Sequence, residues 1–193
     1  MTSHSKKTYC YHQNQVHDCL LYTVVAIGVL TLLADITNNT IISSIRPSWT
    51  TVKWATAASF IAAGFLRLNL IHLRIKSHSL ASFIVTTMLC GLIGIGQPTN
   101  ELETVYRHVP SIAVIIGMLA FVGVHIYRGL TAEASVWVSR VGTMLVAMGC
   151  ICIVGYVFDI RILRFYVAEY STAMAFLSAV SFICLGQSMR LKP

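Results

Sequence analysis

Charge is the scarcest property of this chain. Asp, Glu, Lys and Arg make up 11% of its 193 residues against 56% hydrophobic residues, a balance that excludes a disordered segment and an ordinary soluble domain. Catalytic sets are missing as well: there is no Ser/His/Asp arrangement, no His-Glu-x-x-His and no pair of carboxylates inside an apolar run. Ionisable residues at the middle of those runs, the usual mark of a proton or ion path, are absent, which argues against a pump or secondary transporter. The six cysteines, Cys10, Cys19, Cys90, Cys150, Cys152 and Cys184, show no metal-ligand spacing in a loop. No signal peptide is expected, because the first 18 residues are polar and the first apolar stretch leads to no small-residue cleavage site.

What the chain does have is six apolar stretches, running approximately from 19 to 36, 49 to 72, 79 to 96, 109 to 127, 136 to 158 and 168 to 189. A hydrocarbon core about 30 Å thick takes about 20 helical residues to cross, and lipid-facing irregular backbone cannot satisfy its own hydrogen bonds. The expected fold is therefore all-α: a polytopic membrane protein of six transmembrane helices. Short connections make these three antiparallel hairpins. Residues 1–18 form a cytoplasmic N-terminal segment, 19–189 the membrane domain and 190–193 a cytoplasmic C-terminal end.

Basic residues orient the bundle. Nine of the 14 (Lys6, Lys7, Arg67, Arg74, Lys76, Arg128, Arg140, Arg190, Lys192) fall on one side and five (Arg46, Lys53, Arg107, Arg161, Arg164) on the other, which places both termini in the cytoplasm. The +7 net charge is explained by anionic headgroups, so nucleic acid is not an expected partner. Trp49, Trp54, Tyr156, Tyr166 and Tyr170 read as an outer aromatic belt, and Tyr22, Tyr127 and Trp137 as an inner one. Lys53 and Arg67 are placed to snorkel in opposite directions from the second stretch.

An internal repeat links the first hairpin to the last. Val25-Ala26-Ile27-Gly28 matches Val146-Ala147-Met148-Gly149 at an offset of 121, and Ser59-Phe60-Ile61 with Gly64 matches Ser181-Phe182-Ile183 with Gly186 at an offset of 122. Four helices separate the copies, so both hairpins would point the same way. Small residues gather in the same two stretches: Ala55, Ser59, Ala63 and Gly64 in the second, Ser171, Ala175 and Ala179 in the sixth. Their spacing permits close helix approach in lipid and marks these two helices as the tightest packed.

Two clusters are candidate sites, each weighed against a plain alternative. His17, His72 and His125 fall at cytoplasmic helix ends with His78 just beyond; His72 and His125 are the pair that would ligate a haem iron or metal, and interfacial histidines without a ligand are the plainer reading. Asp35, Arg107, His108, Asp159, Arg161, Arg164 and Glu169, with Glu101 and Glu103, lie on the outer loops, where converging charge would bind a small polar ligand or titrate. Solvated loop residues account for the same pattern. Gly91 to Pro98 has the glycines of a phosphate loop, but it sits at a helix C-terminus with no preceding strand and reads as a helix stop.

Gly155-Tyr156-Val157-Phe158-Asp159, then Tyr170-Ser171-Thr172-Ala173-Met174-Ala175-Phe176-Leu177 and Leu185-Gly186, resemble the multi-helix membrane input domains that precede PAS, histidine-kinase or diguanylate-cyclase modules in bacterial sensor proteins. Arg46-Pro47-Ser48-Trp49-Thr50 resembles that family's earlier hairpin more loosely. The resemblance covers about half the chain, strongest at 145–190, and implies a non-catalytic signal-transduction domain of the bacterial inner membrane. In that family the output module follows the last helix, whereas this sequence stops at Pro193. An accessory subunit of a larger respiratory, photosynthetic or transport complex, with lipid or pigment bound, is the second expectation, and a haem- or quinone-binding membrane protein the third. No cofactor is required by the first. Its expected partners are the bilayer and other membrane subunits or further copies of itself.

Overall fold

The computed structural model describes residues 3–37, 39, 52–72, 81, 84–86, 110–130, 134–165 and 173–191. Its elements are α1 (Ser3–Ile36), α2 (Trp54–His72), α3 (Ile112–Leu130), α4 (Ala134–Val157), a short 3-10 helix (Arg161–Arg164) and α5 (Phe176–Leu191). All described elements are helical and there is no strand among the described residues. Two helices are long and apolar enough to cross a bilayer, over Gln15–Ala34 of α1 and Val136–Val157 of α4; the apolar parts of α2, α3 and α5 are shorter. Of the third stretch, residues 81 and 84–86 are described as helical, with Ala81 and Ile84 buried.

Two boundaries differ from the hydropathy reading. α1 begins at Ser3, not near 19, because no glycine or proline interrupts the chain before Gly28; backbone hydrogen bonding does not stop where the apolar run does. At 1.5 Å per residue its 34 residues extend roughly 51 Å, well beyond one hydrocarbon core. α5 begins at Phe176, later than the 168 expected. The backbone just before it is committed elsewhere: the Met174 amide donates to the Arg164 carbonyl at 2.8 Å.

Packing builds two hairpins, α1 with α2 and α4 with α5, and these are the most extensive helix contacts; α1 also lies on α5, and α3 on α4. One core unites them, with Leu21, Val24, Phe60, Met118, Phe121, Leu145, Phe182 and Leu185 all within it. Close approach of two helix backbones needs small residues at the contact. Glycines supply that approach. A Cβ on Gly28 would lie 3.0 Å from the Ala57 carbonyl and 2.6 Å from Ile61; one on Gly149 would lie 2.5 Å from the Ala179 carbonyl and 2.6 Å from Ile183.

Those contacts are the repeat, written in three dimensions. Ala57 and Ile61 map onto Ala179 and Ile183 at the offset of 122 found in sequence, as Gly28 maps onto Gly149 at 121. Gly64 meets Val25 and the Leu21 carbonyl, while Gly186 meets Val146 and the Gly142 carbonyl, again equivalent positions. The buried positions of α1 (17, 21, 24, 28, 31, 34), advanced by 121, fall on buried positions of α4 (138, 142, 145, 149, 152, 155). Phe60 and Phe182, themselves equivalent, meet edge to face with centroids 5.2 Å apart. A second contact farther along the same two helices, Arg67 to Ser188, shows that α2 and α5 run in the same direction.

The small residues Ala55, Ser59, Ala63, Gly64, Ala175 and Ala179 are all buried; Ser171 lies outside the described residues. Their expected role is redistributed by the structure: α2 and α5 each pack most extensively on their own hairpin partner, and on one another only lightly.

Candidate functional site

At the end of the bundle expected to face outward, the connection after α4 folds back over its own hairpin. Asp159 (φ 55°) and Phe165 (φ 56°) both adopt left-handed backbone, a conformation that costs a non-glycine residue about 1 kcal/mol and reverses the chain within a few residues. Between them the 3-10 helix brings Arg164 back onto α4. Its guanidinium donates to the Asp159 carboxylate at 2.6 Å and lies over the Tyr156 ring, 5.1 Å from its centroid. Arg164 is mostly covered whereas the Asp159 side chain is 90% exposed, so the pair presents its acidic half to solvent. The Tyr156 hydroxyl donates to the Met174 carbonyl at 2.9 Å, and the Cys152 thiol approaches the same oxygen at 3.4 Å. Tyr156 is therefore a buried clamp between α4 and the start of α5, not the exposed belt residue expected.

Of the outer charges, the structure brings Asp159 and Arg164 together and leaves Arg161 exposed beside them. Asp35 lies in the last turn of α1, with its side chain outside the description; Arg107, His108 and Glu169, with Glu101 and Glu103, lie outside the described residues. Trp54, Tyr22, Tyr127 and Trp137 are exposed large side chains, as belt residues should be.

The opposite end holds what the sequence reading missed. Arg67 is 1% exposed, and its guanidinium donates to the Ser188 carbonyl of α5 at 3.2 Å. It does not snorkel: it points across the bundle, because its face of α2 is turned toward α5. His17 is fully buried too, where an interfacial position was expected, and its Nδ1–H donates to the Asp18 carboxylate at 3.2 Å. Gly64 lies against Leu21; one turn farther along each helix brings Arg67 and His17 to the same level. The repeat was the available signal, since it aligns His17 with Val138 and Arg67 with Met189, both fully buried.

His125, on α3, is half-buried. Its Nδ1 lies 2.8 Å from the Phe121 carbonyl and its ring 4.2 Å from the Phe121 ring. Donation to that carbonyl places the proton on Nδ1 and the lone pair on Nε2, the arrangement used by ligating histidines. His72 closes α2, with its side chain outside the description, and His78 lies outside the described residues. Among the described residues no three His, Cys, Asp or Glu side chains gather as a metal site.

Comparison with family models, with curated proteins and with solved structures finds no match to this chain.

Proposed function

We propose that this chain is a six-span, non-catalytic membrane input domain of the bacterial inner membrane, with both termini cytoplasmic, that passes a change in helix packing to a cytoplasmic partner through α5. The observation that carries this reading is the Arg67 bond to Ser188. It ties the first hairpin to the final turn of the last helix, so displacement of α2 is delivered to the end of α5. The Asp159–Arg164 pair sits where an external event would act, over the start of the same helix. Coupling of this kind needs a two-state element biased from both ends, and α5 packs on α4, on α1 and more lightly on α2, with Phe182 lying against Gly117 of α3.

Isolation from native membranes in mild detergent, followed by identification of what travels with the protein, tests the proposal. A kinase or cyclase module supports it; a stoichiometric respiratory or transport complex would assign the accessory-subunit role instead. Asp159→Asn and Arg164→Ala should alter the signalling response while the protein stays in the membrane. An unchanged response in both removes that end of the bundle as the site of sensing.

The His125 geometry favours a second reading, an axial ligand to haem. A visible spectrum of purified protein decides it: without a Soret band the haem reading ends.

A further inference from the structure

We propose that the connection after α4 is an interfacial membrane element, with Phe158, Ile160 and Ile162 inserted among the lipids of the leaflet at that end of the bundle. The proposal rests on α4 crossing the bilayer and is independent of which way the bundle faces. Phe158 and Ile162 are 68% and 76% exposed, Val157 and Ile160 are exposed as well, and the 3-10 helix between Ile160 and Phe165 buries none of its residues. Exposed apolar side chains this large, contiguous in one short connection, mark a surface that meets something other than water.

Depth, continuity and backbone bonding make lipid the occupant. A Cβ on Gly155 would lie 2.9 Å from both the backbone and the side chain of Leu163, so the 3-10 helix descends beside α4 to the level of Gly155, which is inside the span Val136–Val157. Ile162 is thereby carried to the depth of the span's last turn. The exposed side chains of Thr143, Ala147, Ile151, Val154 and Phe158 recur at three and four residues along α4, the stripe that a spanning helix turns to lipid, and the connection prolongs it. Its amides are answered from within: Phe158 donates to Val154, Ile160 to Gly155, Leu163 to Ile160 and Phe165 to Ile162, at 2.9–3.2 Å. A segment leaving water needs those bonds, and a loop in water does not. Charge is handled to match. The Arg164 guanidinium is neutralised by Asp159 and turned onto Tyr156, while exposed Arg161 has a stem long enough to return its head to the headgroups. Because the Arg164 carbonyl accepts the Met174 amide, lipid gripped by this element is one hydrogen bond away from the residues that lead into α5.

The full chain, with its three tryptophans Trp49, Trp54 and Trp137 changed to Phe and one Trp introduced, is reconstituted in lipids brominated either near the headgroup or near the chain ends. In Ile162→Trp, bromines near the headgroup should remove more of the emission than bromines near the chain ends. Ala147→Trp, on the same stripe but ten residues before the end of the span and so roughly 15 Å deeper, should show the reverse order. Phe158→Trp, which keeps an aromatic ring, should repeat the result of Ile162→Trp and decides the matter should that variant fold poorly. Quenching of both by aqueous iodide and by neither lipid puts the connection in water; quenching by none of the three puts it under protein, a second copy or another subunit. Either outcome overturns the proposal. Ala147→Trp is scored separately, since a Trp there that no lipid quenches would overturn the spanning of α4 and not the placement of the connection.

Discussion

Arg67 and Tyr156 were misread from sequence for the same reason. Each sits near the end of an apolar run, where a long polar-tipped side chain normally reaches toward water, and position along a helix is legible when facing is not. In the fold Arg67 faces α5 and Tyr156 faces Met174. A buried guanidinium gives up its hydration, and the Ser188 carbonyl returns part of it. Arg67→Ala, which leaves both a cavity and an unanswered Ser188 carbonyl, should cost about 2–4 kcal/mol. Arg67→Met, the residue the repeat places at the equivalent position, should cost less than half of that in thermal unfolding in detergent. Similar losses for both would show that the hydrogen bond, not the filled volume, is what the site requires. Tyr156→Phe keeps the ring under Arg164 and removes only the bond to Met174, for a loss of about 1 kcal/mol.

Helical elements were legible wherever hydropathy and hydrogen bonding coincide, as in the cores of α1, α2, α3 and α4. They diverge at the N-terminal part of α1, where polar residues continue a helix that the apolar run does not cover, and before α5, where backbone groups of Met174 are taken by the connection. The glycine contacts carry the sharper test. Gly28→Val and Gly149→Val should each force their hairpin apart and cost about 1–3 kcal/mol, by similar amounts because they meet equivalent atoms. Gly123, on α3, has nothing within 4 Å of a Cβ position, so Gly123→Ala should be neutral or stabilising by up to about 1 kcal/mol. Unequal losses at Gly28 and Gly149 would mean that the two hairpins resemble each other in outline and not in what holds them.

For the whole molecule, the positive-inside distribution makes a definite statement. Alkaline phosphatase fused after Arg164 should be active, and fused after Leu130 inactive, in a bacterial host that exports unfused spans normally. The reverse pattern would invert the bundle. The all-helical class followed from composition and spacing, and the repeat anticipated the shared direction of α2 and α5. The candidate sites were less legible, because a site is a meeting of faces from different helices. Asp159 and Arg164, which meet, are only five residues apart; Arg67 and Ser188 are 121 apart, and nothing local announces them.

The contact between Phe60 and Phe182 joins like to like: each hairpin offers the other the same residue from the same position. Self-complementary contacts of this sort belong to two-fold dimers. Carrying both halves on one chain attaches the partner covalently, at a fixed one-to-one ratio and at any level of expression. Assembly no longer depends on concentration, and neither half must remain compatible with a copy of itself. His17, Asp18 and Arg67 in one half, where the equivalent positions of the other hold Val138, Ser139 and Met189, are the divergence that a tethered dimer permits and a symmetric one forbids.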